Sequence, residues 1–340
     1  MTLIVILGIG MTFTWFYVQD NLKAPSQIEG FVTIDILQGD TLSEVSHTLH
    51  ENGLIQDETV FQLYARYVKL TDFKYGIYKM NTTWDVQKVL EFLNDSTAAI
   101  SKEALIKIIP GDWAKDVALQ IEEKTAYTQA EVLALWNDPA YITTLSQEYS
   151  VITPEIITSG VRVLLEGYLM PETYFINPES SIETITEKFI SELQAFYDEN
   201  QALFDSSQFS IHELITLASI VQFEASGLTD MKMVAQVFYN RLALPMRLQS
   251  SVTICYSLYE YDTWRDCETN SDIDSPYNTY KYDGLPIGPI DNPSKNAILA
   301  TLSPTDNDYY YFLADVYGDG TIYYARTYDE HKANVRKYLK

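Results

Sequence analysis

Basic side chains are scarce in this sequence. Its 340 residues hold 23 Lys and Arg against 47 Asp and Glu, a formal net charge of −24. That balance argues strongly against a nucleic-acid partner, because displacing counterions from a phosphate backbone takes clustered Lys and Arg. It argues equally against adsorption to anionic lipid by charge. Histidine is scarcer still, with four in all. The close pair His47 and His50 has the spacing of a solvated helix face and falls short of a zinc ligand set, so no metal and no cofactor are expected. Cysteine is limited to Cys255 and Cys267, and no CxxC redox motif is present. The pair lies close enough for a local bridge outside the cytoplasm, and the sequence leaves open whether one forms.

Charge is also absent from Thr2 to Val18. At ~1.5 Å per residue this run covers roughly 25 Å, slightly short of a ~30 Å hydrocarbon core. Trp15, Phe16 and Tyr17 stand where an interfacial aromatic belt belongs. No charged n-region or small-residue cleavage site marks a signal peptide. Residues 1–22 are therefore read as a single membrane anchor with the remaining chain on one side; a buried core helix is the alternative.

The remainder is globular in composition, 46% hydrophobic and 21% charged, and long enough for two or three domains. FVTIDIL at 31–37 alternates as a strand, a Gly39-Asp40 turn follows, and residues 41–51 place Leu42, Val45 and Leu49 on one helix face. The arrangement returns 72 residues later: ILQGDTLSEVSHTL at 36–49 matches IIPGDWAKDVALQI at 108–121. Such strand–turn–helix units resemble LysM-type glycan-binding modules, and a generic αβ unit is the alternative. Residues 126–164 read as a polar helical connector. Beyond them Ser181 to Asn200 is an amphipathic helix, and Ser210 with Glu213 forms a capping box that opens the next one.

That helix carries LASIVQFE at 217–224. Successive residues turn by ~100°, so Glu224 shares the apolar edge of Val221 and Leu217, while Gln222 points nearly the opposite way. An acid beside packed aliphatic groups loses hydration, its pKa rises, and it is equipped to give and retake a proton. From position alone, a solvated helix-end carboxylate is the plainer reading. VFYNRL, YNTY and GLPIGPIDNP follow. Rich in Asn, Tyr, Gly and Pro, they suit a groove that grips a sugar polymer by hydrogen bonds and ring faces.

Taken in order, LLEGYLMPETY, ASIVQFE, VFYNRL, MRLQS, the block SPYNTYKYDGLPIGPIDNPSKNAILATLSP, YYYFLAD and TYDEHKANV resemble the endolytic murein transglycosylase (YceG-like) family. The uncharged N-terminal run and the GDTLSEV unit fit as well. The resemblance implies an α+β fold: a transmembrane helix over 1–22, a LysM-like domain with an internal repeat over 29–125, the connector over 126–164, and a mixed α/β lytic transglycosylase domain over 165–340. It implies an enzyme of the cell membrane, single-pass, with its catalytic domain outside the cytoplasm. Its partners would be peptidoglycan glycan strands and, in addition, cell-wall synthesis or division proteins. The implied reaction cuts β-1,4 bonds between N-acetylmuramic acid and N-acetylglucosamine within nascent strands and leaves 1,6-anhydro ends. One Glu acts as general acid and then base, unlike the carboxylate pair of most glycoside hydrolases. The family's catalytic acid is the second of an E-x-E pattern, which falls on Glu224. Asn240, Gln249, Tyr277, Asn278 and Tyr280 are candidates to line the groove, with turn or packing roles the alternative for each. Glu166 is expected to close a hydrogen bond near the groove. The sequence departs from the family pattern at Gln222, Ser251 and Ile322, which keeps a weak or inactive glycan-binding scaffold open as a second reading.

Overall fold

In the computed structural model, which describes residues 15–37, 39–95, 98, 103–315 and 320–339, the alternating run forms β1, Phe31–Ile36. It pairs antiparallel with β2, Gly76–Asn81, in a register that sets Phe31 opposite Asn81 and Ile36 opposite Gly76. Between the strands lie α1, Leu42–Glu51, and α2, Glu58–Val68; α3, Val86–Asn94, follows β2. Each helix starts at a side-chain cap, from Thr41, Asp57 and Asp85 respectively, which satisfies amide groups that the first turn leaves free. Val45, Leu49, Phe61, Val89 and Leu90 close over Tyr78 and Met80 as one core. The chain divides into two units at this point, Met1–Glu103 and Ala104–Lys340.

The second unit is mixed α+β and mostly helical. β3, Ala104–Lys107, pairs antiparallel with β4, Thr173–Ile176. Between them come α4, Ala114–Lys124, α5, Gln129–Trp136, and α6, Pro139–Glu148. Then follow α7, Ile182–Ser206, α8, Ile211–Glu224, and α9, Leu228–Leu242. Short helices α10, Val252–Leu258, and α11, Trp264–Thr269, are joined by a disulfide between Cys255 and Cys267. α12, Lys295–Leu302, the hairpin of β5, Tyr311–Ala314, and β6, Ile322–Ala325, and α13, Tyr328–Tyr338, complete the unit. α8 is buried from Leu214 through Val221 and packs on α9 and α12. A helix covered on nearly all sides is mostly apolar.

Two expectations differ from the structure, and a third lies largely outside the described residues. Residues 126–164 are no polar connector: Val132, Trp136, Ile142 and Leu145 lie in the main core, and the Trp136 indole donates to Thr186 Oγ1 at 2.8 Å. The stretch 29–125 is split between the two units, since the second copy of the repeat shares the core of α8. The anchor falls largely on residues 2–14, outside those described; residues 15–21 are helical with Trp15, Phe16 and Tyr17 exposed, and no helix among the described residues is long and apolar enough to cross a membrane.

The repeat itself recurs as local geometry. Gly39 and Gly111 both take φ +96°. Asp40 Oδ2 accepts from Leu37 N at 2.8 Å, and Asp112 Oδ2 accepts from Ile109 N at 2.8 Å. The surroundings differ: a Cβ on Gly39 would meet nothing within 4 Å, whereas one on Gly111 would sit 2.8 Å from the Phe223 ring. Gly39→Ala should therefore cost about 1–2 kcal/mol of backbone strain, and Gly111→Ala roughly 1–3 kcal/mol more from the clash. Hydrogen exchange of the α1 and α4 amides in the full chain measures both; equal losses would show that the Phe223 contact does not matter.

Candidate active site

The capping box at Ser210 fixes where α8 begins: Ser210 N donates to Glu213 Oε2 at 2.8 Å, and Glu213 N donates to Ser210 Oγ at 3.2 Å. The helix ends at Glu224 because Ala225 is extended, φ −150° and ψ 149°. Glu224 is thus the last residue of a buried rod, and it is half-buried itself. Ser250 Oγ donates to Glu224 Oε1 at 2.6 Å. Burial pushes the Glu224 pKa above the ordinary carboxylate range, against smaller opposing effects of the Ser250 hydroxyl and the Arg241 charge.

Ser250 is held from behind. Its amide donates to Thr279 Oγ1 at 3.1 Å, its carbonyl accepts from Thr253 Oγ1 at 2.7 Å, and the two threonine hydroxyls are 2.9 Å apart. Buried Arg241 donates from Nε to Tyr310 O at 2.6 Å and from Nη1 to Leu248 O at 2.5 Å, tying the approach to Ser250 onto the β5 side. Between these anchors Gln249 is driven to φ +50°, a left-handed conformation unusual for a non-glycine residue. A residue in that region persists only where its neighbours over-determine it.

Of the expected groove residues, Tyr280 and Gln249 come to the acid's side. Tyr280 is partly exposed, and its pKa is raised by burial and then by the charge of Glu224. The Gln249 side chain is exposed beside Ser250. The others use their polar groups internally. Asn240 donates to Asn307 O and Tyr309 O, both at 2.9 Å, and accepts from Gln236 Nε2 at 2.9 Å. Buried Asn278 donates to Ser271 O and Ile273 O, and its Oδ1 accepts from Tyr280 N. Tyr277 is buried with its hydroxyl accepting from Arg162 N at 2.9 Å. Of the departures from the family pattern, Gln222 Oε1 accepts from Ser294 N at 2.9 Å, so it engages α12 rather than the Ser250 segment. Ser251 stands at the N-cap of α10, and Ile322 packs against the core at the start of β6. Ser250, Thr279 and Arg241 were missed. For Arg241 a signal existed: it is one of few basic residues and sits between the apolar positions Phe238 and Leu242 of α9.

Glu166 lies elsewhere, fully buried. Its Oε1 accepts from Ala114 N at 2.8 Å at the start of α4, and its Oε2 accepts from the Tyr256 hydroxyl at 2.9 Å. Burial raises its pKa to about 8. Asp291 is also fully buried, with neither carboxyl oxygen bonded, and its pKa is raised well above normal by burial and then by Glu166 and Asp112. Among the described residues no group of His, Cys, Asp and Glu is arranged to hold a metal ion.

One half-buried carboxyl, its pKa raised by packing and its orientation fixed by a held hydroxyl, is the equipment of a general acid/base site. The chain belongs to the YceG-like family, whose profile matches residues 34–337. It is 33% identical over 353 residues to a Streptococcus pneumoniae R6 protein named endolytic murein transglycosylase, covering 98% of this chain and 63% of the relative. It is 32% identical over 310 residues to a Bacillus subtilis 168 protein of the same name, covering 91% of this chain and 85% of the relative. The chain thus spans less than two thirds of the pneumococcal relative's length, 63%. A Listeria monocytogenes crystal structure described as yceG-like superposes with a TM-score of 0.62 at 29% identity, over 90% of this chain and 100% of that one.

Glu166 generates a stability prediction. Folded, it holds its proton up to about 8; unfolded, it releases it near the ordinary 4.5. Its contribution to stability is therefore complete below that lower value and is lost as pH rises toward the upper one, by at most about 1.4 kcal/mol per pH unit. Glu166→Gln keeps an acceptor for Ala114 N without titrating. Denaturant unfolding across this range should show a shallower decline than wild type; parallel curves would place the ionised form inside the fold.

Proposed function

We propose that the protein is a lytic transglycosylase that cuts peptidoglycan glycan strands internally, with Glu224 as its general acid and base. The observation that carries this reading is the Ser250–Glu224 hydrogen bond at the open end of a buried helix, together with the raised pKa of that acid. The names of the pneumococcal and Bacillus relatives support it. Protonated Glu224 gives its proton to the glycosidic oxygen between N-acetylmuramic acid and N-acetylglucosamine as the C1–O bond breaks. The resulting carboxylate takes the proton of the muramyl C6 hydroxyl while that oxygen bonds to C1. No water is consumed, the acid is regenerated, and a 1,6-anhydro end remains. Ser250 holds one carboxyl oxygen, leaving orientation to the protein rather than to solvent.

The same reading places the protein in the cell membrane by its N-terminal run, with the active site outside the cytoplasm. Support comes from the uncharged residues 2–18 and from the Cys255–Cys267 bridge, since disulfides persist mainly in oxidising compartments. The β1–α1–α2–β2 order of the first unit supports a LysM-like glycan-binding role. Cutting nascent strands there would terminate or release them during wall synthesis, near the synthesis or division proteins that make them.

Glu224→Gln should abolish anhydromuramyl ends, read by mass spectrometry of purified strands, while binding of those strands is kept. A water adduct from wild type would indicate a hydrolase, and unchanged strands a scaffold. Ser250→Ala should lower kcat/KM roughly 10- to 100-fold, the loss of a hydrogen bond to a charged group. The Ser250 hydroxyl favours the ionised form of Glu224, so its removal raises that pKa further. The alkaline limb of the kcat/KM profile, where the acid loses its proton, should move to higher pH; a shift to lower pH would contradict the assigned role.

A further inference from the structure

An open cleft of about 490 Å³ adjoins the end of α8 and belongs to none of the groups placed around Glu224 above. One wall is a braced aromatic pair. Trp113 and Tyr259 stack with centroids 5.2 Å apart and planes 2° from parallel. Lys115 Nζ lies 4.6 Å from the Trp113 ring and 4.1 Å from the Tyr259 ring, and donates to Tyr259 O at 2.7 Å. The Arg162 guanidinium sits 4.1 Å from the Tyr259 ring. The faces of this pair are taken, and the two cations are engaged, so the wall is rigid rather than receptive.

The receptive rings are Tyr261 and Phe223, which are 40% and 48% exposed. Tyr261 stands edge-on to Trp113 at 6.2 Å. Phe223 is propped outward by the Gly111 turn, where no side chain fits beneath its ring. Around them the lining is polar, with the exposed carboxylates of Glu260 and Asp262 at the cleft edge. Exposed ring faces edged by hydrogen-bond acceptors match a pyranose, which offers a C–H face and a rim of hydroxyl donors. A lipid chain is opposed by the polar lining. Phe223 immediately precedes Glu224, so the platform begins one residue from the acid.

We propose that this cleft is a second saccharide subsite, which holds a pyranose unit of the same strand that is cut at Glu224. It rests on the transglycosylase reading and adds a reason for cutting within long strands: a short fragment reaches the acid without filling the cleft. The test uses the full chain and peptide-free murein glycan strands sorted by length. Binding is measured on a Glu224→Gln background, and production of anhydro ends on the otherwise wild-type chain. Tyr261→Ala and Phe223→Ala should each reduce the preference for long over short strands about five- to tenfold, the scale of losing one aromatic contact. Tyr261→Trp should restore it. If wild type cuts strands and both alanine variants keep its length preference, the subsite is overturned and the catalytic reading stands. If wild type neither binds nor cuts them, both are overturned.

Discussion

The second unit depends on a short clamp, residues 290–294, laid along the polar side of α8. Ile290 N donates to Ser219 Oγ at 3.0 Å, and Ser294 N donates to Gln222 Oε1 at 2.9 Å. Ser219 and Gln222 are one turn apart on the helix, so the clamp is pinned twice on the same face. Between the pins, buried Asn292 accepts from Gly167 N and Leu169 N, both at 3.0 Å, and donates from Nδ2 to Asp112 O at 2.9 Å. Its backbone adds Gly111 N to Asn292 O and Asn292 N to Asp112 O. The buried partners among these, Ser219 and the Gly167 and Leu169 amides with Asn292, would lose these bonds if the clamp let go, at ~1–3 kcal/mol apiece. The turn at 111–112, the turn at 167–169 and α8 therefore move together or not at all.

Three acids near this framework show why a raised pKa does not by itself locate chemistry. Glu224, Glu166 and Asp291 are all pushed upward, and burial is the largest cause for each. Glu166 is sealed and has both oxygens bonded to the protein. Asp291 is sealed with neither bonded. Of these three, only Glu224 combines desolvation with partial exposure and an orienting donor. Proton transfer to a substrate requires contact with it, so exposure is what qualifies Glu224 for the proposed role and disqualifies Glu166 and Asp291. Glu166 and Asp291 lie beside the Asp112 turn, where a neutral carboxyl removes repulsion that ionised neighbours would create.

What sequence revealed and what it hid divide along the range of the interactions. Ser210 caps α8 through a contact three residues away, and α1 repeats its apolar positions within three turns, so both helices were legible from local sequence. The Gly-Asp turns were legible too, being set by one glycine and one carboxylate. Core membership was not. The same turn serves one core after Ile36 and another after Ile108, and nothing within either motif says which. Residues 126–164 looked like a connector although about half of their positions are apolar, and Trp136 and Ile142 are each fully buried. Ser250 escaped notice because its meaning comes from Glu224, 26 residues away in sequence, and from Thr279 beyond it.

Gln222 shows how a departure from the family pattern is absorbed. The position faces α12 and supplies one oxygen to Ser294 N; an amide and a carboxylate both carry such an oxygen. What changes is charge. A second carboxylate on the final turn of α8 would disfavour ionisation of Glu224 through like-charge repulsion. With an amide there, Glu224 is the sole titratable group between Val221 and the helix end. Burial then raises its pKa, and Ser250 and Arg241 oppose that rise. In the proposed reaction the acid loses its proton to a glycosidic oxygen and regains one from a hydroxyl within a single turnover. A pKa held up by packing, and restrained by one hydroxyl and one cation, serves both halves of that exchange, and a further upward push from position 222 would favour only the second.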